Sequence, residues 1–193
     1  MYEYIQGKLI EVSPTYAVVE AGDIGYFINI SLNTFSNISG KNEVKLLIHQ
    51  IVREDAQLFF GFADKHEREI FRMLISVSGI GANTARLMLS ALSPSELSKA
   101  IMEADINLLR SIKGIGAKSA QRVVVDLKGK VGKSDDVSEI FKEESNTLKE
   151  ESLSALVMLG FSKASVQKVL DKILREKRDI TVEELVKKAL KRL

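Results

Sequence analysis

The strongest constraint on this chain is a nine-residue phrase that occurs twice, 35 residues apart. The copies cover residues 77–85 and 112–120, and each reads apolar, any residue, Gly-Ile-Gly-Ala, any residue, hydroxyl residue, Ala. Glycine has no Cβ, so it adopts positive φ and lets another backbone come close. Two glycines around one isoleucine therefore predict a tight hairpin that opens a helix. Ile80 and Ile115 are predicted to fill the core between the flanking helices.

Each hairpin is a candidate phosphate-binding site, because the start of a helix presents unpaired backbone amides to an anion. Lys118 and Arg122 lie four residues apart on one face of the second predicted helix. Two ordinary glycine turns are the alternative, which the repetition with matching flanks disfavours. The candidate phosphate-binding residues are Gly79, Gly81, Asn83, Thr84, Gly114, Gly116, Lys118, Ser119 and Arg122.

The distribution of charge supports this interpretation better than the net charge of +2 does. Residues 63–132, which contain both hairpins, hold 11 basic and 7 acidic residues, whereas residues 1–62 hold 4 and 7. A basic block is where a phosphate-binding surface is expected. The sequence has no cysteine and two histidines, which argues against disulfides and metal sites. Without a visible signal segment or membrane-spanning run, we expect a cytoplasmic protein.

The fold class predicted from the pattern is α+β with several domains. Residues 1–62 read as a five-stranded, OB-like β-barrel domain, because β-branched and aromatic runs alternate with turn residues. Residues 63–132 read as a helical domain that carries the two hairpins. The predicted strands cover residues 5–12, 16–20, 25–30, 44–52 and 58–62.

Helix start signals locate several elements after the barrel. Asp64 with Glu67 is a predicted capping box, and Ser93 is a predicted N-cap followed by proline at N1 and an acidic residue, Glu96, at N3. The helix after the second hairpin is predicted to run from Ala117 to about Lys128.

The last third of the chain changes character. Residues 133–150 are polar and acidic, which predicts a flexible linker. Residues 151–193 are predicted to form a small domain of three helices.

No catalytic or nucleotide-binding motif is complete. Gly132-Lys133-Ser134 resembles a phosphate loop, but that loop needs glycine where Leu127 stands. The chain lacks a cysteine nucleophile, a Gly-x-Ser-x-Gly elbow, a His-Glu-x-x-His pair and a Gly-Pro-Asp after either hairpin. We therefore predict no intrinsic catalysis and no cofactor or metal. A helix-hairpin-helix nuclease or glycosylase stays open as an alternative, as does a general OB-type single-strand binder. The second is disfavoured by only 6% aromatic residues.

Two adjacent carboxylates, Glu54 and Asp55, fall between two predicted apolar strands. Such a turn is expected to be exposed, and a solvated polar turn is its usual meaning. In a protein that holds DNA, the same two carboxylates can repel phosphates.

Together these phrases resemble the RuvA family of Holliday-junction recognition subunits, over nearly the whole chain. The resemblance is carried by the Arg-Glu-Asp-Ala-Gln phrase and by both hairpins. The matching phrases are Gly25-Tyr26, residues 52–58, Phe60-Gly61-Phe62, the two Gly-Ile-Gly hairpins and Ala155-Leu156 with Leu159-Gly160-Phe161. The family often has a basic residue where Asn83 stands and two basic residues where Ala117 and Lys118 stand.

The resemblance implies a function in DNA recombination and repair. It implies a homotetramer, or an octamer on DNA, that holds a four-way junction open and planar. Glu54 and Asp55 would form an acidic pin at the crossover. The third domain would be UBA-like and would bind the hexameric AAA+ motor RuvB, with Leu159, Gly160 and Phe161 as candidate contacts. RuvC resolvase is a further implied partner, and the implied location is the bacterial cytoplasm.

Overall fold

Five strands at the start of the chain close into a barrel in the order β1-β2-β3-β5-β4. Neighbouring strands are antiparallel except β3 and β5, which are parallel. The predicted OB-like barrel is confirmed, and every strand end lies within one residue of its predicted position. The strands are β1 (Tyr4–Ser13), β2 (Tyr16–Ala21), β3 (Ile24–Ile30), β4 (Glu43–Val52) and β5 (Gln57–Phe62).

This computed structural model describes residues 2–139, 144–176 and 180–193. The chain divides into two compact units, Met1–Lys133 and Ser134–Leu193. The barrel and the hairpin helices therefore belong to one unit. The domain boundary predicted between residues 62 and 63 falls inside that unit.

Strand β5 explains why the barrel and the helices share a core. Phe60 and Phe62 are buried in the cluster formed mainly by helical residues. Gly61 between them lies against the barrel interior, where an added Cβ would stand 2.5 Å from Cγ2 of Ile28. The two phenylalanines thus belong to the core of the helices, whereas the glycine faces the core of the barrel. Glycine is required there by the tight contact inside the barrel.

Helix α1 (Leu32–Ile38) lies between β3 and β4, where the sequence analysis predicted no element. Its N-cap is Ser31, whose side chain accepts a hydrogen bond from the Thr34 amide. Asn33 donates its side-chain amide to the carbonyls of Leu89 and Leu92. The short helix therefore docks the barrel onto the helical layer.

Five helices follow the barrel, and the last of them begins in the first unit and continues past its end at Lys133. They are α2 (Lys65–Ile75), α3 (Ala82–Ala91), α4 (Pro94–Met102), α5 (Ile106–Ser111) and α6 (Ala117–Glu139). The predicted N-cap Ser93 is confirmed, and the structure shows that it forms a full capping box with Glu96. Helix α6 is longer than predicted, because the buried Val131 continues the apolar face of Leu127 beyond Lys128.

The second unit contains α7 (Glu144–Met158), α8 (Lys163–Glu176) and α9 (Val182–Leu190), as the three-helix prediction expects. The predicted linker differs from the structure at both of its ends, since residues 133–139 and 144–150 are helical. Residues 140–143 lie outside the described part of the chain. The flexibility of this segment stays a prediction.

Only one of the two hydrogen bonds of the capping box predicted for Asp64 and Glu67 is present. Asp64 caps α2 through the Glu67 amide, but the Glu67 carboxylate turns inward instead of returning to the cap. It accepts hydrogen bonds from the Ser31 hydroxyl and, at 2.7 Å, from the Thr34 hydroxyl of α1. Burial raises the pKa of Glu67, while those two hydrogen bonds oppose the rise.

Stability is expected to depend on pH through this carboxyl. Because the folded-state pKa of Glu67 lies above its ordinary value of 4.5, its contribution is fully present below pH 4.5. That contribution is lost as pH rises through the folded pKa. The Glu67→Gln variant carries no ionisable group at this position, so it should lack this loss. The difference between its free energy of unfolding and that of the wild type should therefore change between pH 4.5 and the folded-state pKa. Urea unfolding from pH 4.5 upward measures it, and parallel curves would contradict the assignment.

Candidate nucleic-acid interface

The two hairpins have the same backbone geometry. Gly79 and Gly114 adopt φ of +92° and +91°. The amides of Ile80 and Ile115 each donate to the carbonyl three residues earlier at 3.0 Å, and both isoleucine side chains are buried. The predicted pair of tight hairpins with apolar plugs is confirmed, since these left-handed turns are the conformation that glycine favours.

The second glycine of each hairpin has a different environment. Gly81 is the N-cap of α3, with φ of −84° and no side-chain hydrogen bond to the cap. A Cβ added at Gly81 or Gly116 would meet nothing within 4 Å. Packing inside the protein therefore does not require glycine at either position. The open space lies where a ligand backbone can approach the first amides of the helix.

A cleft of about 360 Å³ joins the first hairpin to the start of α6. Arg122 crosses between them, with Nη1 donating to the Ser78 carbonyl at 3.2 Å. Two motifs that are far apart in sequence thus form one continuous surface. The cleft is lined by Ser78, Gly79, Lys118, Ser119, Gln121 and Arg122, which include two cations and no carboxylate.

This cleft contains four of the nine predicted phosphate-binding residues. Ser78 and Gln121 also line it and were not among the predicted residues, although Ser78 precedes a hairpin glycine and Gln121 lies beside Arg122 in sequence. Asn83 lines a different cleft, between α3 and the barrel. The other predicted residues, which do not line the first cleft, are Gly81, Thr84, Gly114 and Gly116.

The second cleft, of about 350 Å³, separates α3 from the turn between β1 and β2. Arg86 spans it, with Nη1 donating to the Thr15 carbonyl at 2.8 Å and to Oδ1 of Asn29 at 3.1 Å. Burial lowers the pKa of this guanidinium. Most of the remaining lining is apolar and consists of Pro14, Ile30, Leu32 and Leu87. The cleft is therefore a poor anion site.

The two adjacent carboxylates lie at the tip of the β4–β5 hairpin. Glu54 and Asp55 are exposed, and the Arg53 amide closes the turn onto the Ala56 carbonyl at 2.8 Å. The prediction of an exposed turn is confirmed. Its role as an acidic pin stays a prediction.

In the second unit, the predicted partner contacts surround the end of α7. Gly160 adopts φ of +98° and reverses the chain. Leu159 is 61% exposed, whereas Phe161 packs against the core of the three helices. Met158, which was not among the predicted contacts, is 86% exposed. Met158 and Leu159, hereafter the apolar tip, form the exposed part of this turn.

No group of three or more metal-ligating side chains is found among the described residues. In the same part of the chain, none of the helices is both long and apolar enough to cross a membrane.

A closed five-stranded barrel that shares a core with paired glycine hairpins defines an OB-like protein of the tandem helix-hairpin-helix class. Three family models match in order along the chain. They are the RuvA N terminal domain at residues 1–61, the SAM-like helix-hairpin-helix tandem at 71–129 and the RuvA C-terminal domain at 147–193. The chain belongs to the RuvA family.

Curated relatives agree over the full length. The Holliday junction branch migration complex subunit RuvA of Christiangramia forsetii is 52% identical over 193 residues, with both chains covered completely. The protein of the same name from Bacteroides thetaiotaomicron is 52% identical over 201 residues, and that of Parabacteroides distasonis is 47% identical over 196, again with complete coverage.

Proposed function

We propose that this chain is the non-catalytic DNA-binding subunit of a branch-migration complex. It binds a four-way DNA junction, holds the junction open and planar, and recruits a RuvB-type ATPase motor that hydrolyses ATP. The relatives are named as subunits of such a complex. The observation that carries the proposal is the cleft in which residues of both hairpin motifs meet, with Lys118 and Arg122 at its wall.

The chemistry of this cleft suits a DNA backbone. The first turn of α6 and two cations favour phosphate oxygens, which look the same in every sequence. Such contacts position a duplex without reading its bases. A subunit that processes junctions of any sequence needs this kind of binding.

A homotetramer fits the symmetry of the substrate. One chain carries one pair of hairpins, whereas a four-way junction has four equivalent arms, so four copies supply one pair to each arm. The barrel exposes apolar side chains that another copy would cover, including Ile24, Phe27 and Val52 at 57%, 55% and 64% exposure. An octamer would enclose both faces of a junction, whereas a single tetramer would leave one face to a RuvC-type resolvase.

Competition binding tests the proposal and its rivals together. Purified protein should bind a four-way junction more tightly than a duplex or a single strand of the same length, and it should leave labelled DNA uncut in magnesium. Cleavage would favour the nuclease alternative. A preference for single strands would favour the OB-type alternative, for which the stacked pair of half-buried Tyr16 and exposed Phe27 is the specific observation. Glu11 opposes that alternative, because its carboxylate accepts a hydrogen bond from the Tyr16 hydroxyl beside the pair.

Replacing Lys118 and Arg122 with Ala is expected to weaken junction binding and flatten its salt dependence. Each lost phosphate contact on a duplex arm should reduce the log–log salt slope by about 0.9. The loss should be equal for junctions of different sequence. Lys118→Ala alone separates charge from structure, because Arg122 also donates to the Ser78 carbonyl.

The control for this experiment removes two exposed cations elsewhere. Lys188→Ala with Lys191→Ala makes the same change in net charge in the second unit. Its salt slope should equal that of the wild type. An equal reduction in the control, or a loss confined to one DNA sequence, would contradict phosphate binding in the hairpin cleft.

A further inference from the structure

We propose that Arg86 is a positioning residue, which fixes the helix of the first hairpin to the strand that follows the acidic turn and thereby sets the preference for junctions over duplex. The inference rests on the proposed function. It assigns a role to a cation that lies outside the cleft formed by both hairpins.

A chain of hydrogen bonds links three elements. Arg86 of α3 donates through Nη1 to Oδ1 of Asn29 on β3 at 3.1 Å. The side-chain amide of Asn29 donates in turn to the Phe59 carbonyl on β5 at 3.2 Å. Both polar ends of the Asn29 amide are therefore used, so its orientation is fixed by its two neighbours. A second bond, from Arg86 to the Thr15 carbonyl at 2.8 Å, holds the β1–β2 turn.

The link falls at the seam where the barrel closes. Strands β3 and β5 are the parallel pair, and their ladder has three partner pairs, whereas the β4–β5 ladder has six. Asn29 adds a side-chain bond to this short ladder. Strand β5 begins at Gln57, directly after the turn that carries Glu54 and Asp55. Fixing β5 to α3 therefore fixes the acidic turn relative to the first hairpin.

The two hairpin motifs carry their cations at different positions, and these cations contact different parts of the molecule. The positions equivalent to Lys118 and Arg122, 35 residues earlier, are Asn83 and Leu87. The cation of the first motif is Arg86 instead, and it contacts neutral acceptors on the barrel. Arg86 Nη1 already donates to two acceptors on the barrel, and the cleft beside it is mostly apolar. This guanidinium is therefore better suited to fixing α3 to the barrel than to binding phosphate.

The test compares Arg86→Met, Asn29→Ala and the double variant in the full chain, with Lys99→Met as a control that removes an exposed cation from α4. Junction and duplex dissociation constants are measured over a range of salt concentrations. Arg86→Met should raise duplex affinity by up to about tenfold, because the acidic turn would no longer be held where it repels a continuous duplex. Junction affinity and the salt slope should stay unchanged, because no phosphate contact is removed. The double variant should be no worse than Arg86→Met, and Arg86→Lys should restore most of the preference.

Other outcomes overturn the inference. A salt slope reduced by about 0.9 would mean that Arg86 contacts a phosphate itself. Equal changes in junction and duplex affinity, or additive effects of the two substitutions, would exclude the positioning role. If urea unfolding shows that Arg86→Met does not fold, Asn29→Ala and Arg86→Lys decide by the same criteria. A wild type without junction preference would overturn the proposed function as well, whereas a preference that Arg86→Met leaves intact would overturn this inference alone.

Discussion

A chain that ends at residue 143 is expected to bind four-way junctions as the full chain does and to lose motor-driven branch migration completely. The truncation keeps all of α6, which supplies Lys118 and Arg122 to the hairpin cleft. It removes the three helices of the second unit together with the apolar tip. Because α7 begins at Glu144, an end point at residue 143 avoids leaving part of that helix.

The measurements are a gel shift with a labelled junction and a strand-displacement assay with motor and ATP. A point variant controls for the size of the deletion: Met158→Ser with Leu159→Ser changes only the apolar tip. Both side chains are mostly exposed, at 86% and 61%, so their replacement should leave the three-helix core intact. This variant should bind junctions normally and bind the motor at least about tenfold more weakly, as loss of an apolar interface anchor would.

Two results would contradict the division of labour. If the truncated chain failed to bind junctions, the second unit would belong to the DNA site. If it still supported branch migration, the motor would dock elsewhere on the first unit.

The barrel could be predicted closely from the sequence, because its signals are local. Alternation in the strands and turn residues between them placed each end within one residue. The hairpins could be predicted for the same reason, since Gly79 and Gly114 need a left-handed backbone wherever the rest of the chain lies. The backbone conformation of such elements depends mainly on residues that are close in sequence.

The hairpin cleft could not be predicted in full, because it depends on contacts between distant residues. The bond from Arg122 to the Ser78 carbonyl spans 44 positions, and no local pattern indicates it. Asn83 shows the same limit in the first copy. Its place in the repeat predicts a phosphate contact, which stays a prediction, whereas the structure shows that it lines the cleft against the barrel. A repeat predicts equivalent backbones, whereas the neighbours of each copy decide what its side chains contact.

Glu67 shows how tertiary structure overrides a local motif. Its spacing from Asp64 predicts a carboxylate that returns to the helix cap. Helix α1, which the sequence analysis did not predict, instead offers the hydroxyls of Ser31 and Thr34. The helix that was not predicted and the wrong prediction for the Glu67 carboxylate therefore have one cause.

Neutralising the acidic turn is expected to abolish much of the discrimination between junction and duplex. The variant Glu54→Gln with Asp55→Asn keeps the size of both side chains and removes both charges. A carboxylate about 4 Å from a phosphate costs about 1–4 kcal/mol, depending on the local dielectric. A junction opens at its centre, where the backbones diverge, so the turn meets less repulsion there than on a continuous duplex. The variant should keep its junction affinity and gain at least about tenfold in duplex affinity.

The same barrel offers a matched control. Glu20→Gln with Asp23→Asn removes the same two residue types from the exposed end of the β2–β3 hairpin. Both variants change net charge by the same amount, so a general electrostatic effect would raise duplex affinity equally in both. Only an effect of position would separate them, and salt should reduce the difference because exposed charges are screened.

The deciding quantity is the ratio of duplex to junction dissociation constants for the three proteins at matched salt. A ratio that falls only in the Glu54 and Asp55 variant would mean that the turn selects junctions by rejecting duplex. Because four copies would bring four such turns to the centre of one junction, the repulsion there would act on all strands as they exchange partners. An unchanged ratio would reduce the turn to a solvated loop, and the preference for junctions would then depend on the spacing of the hairpin clefts alone.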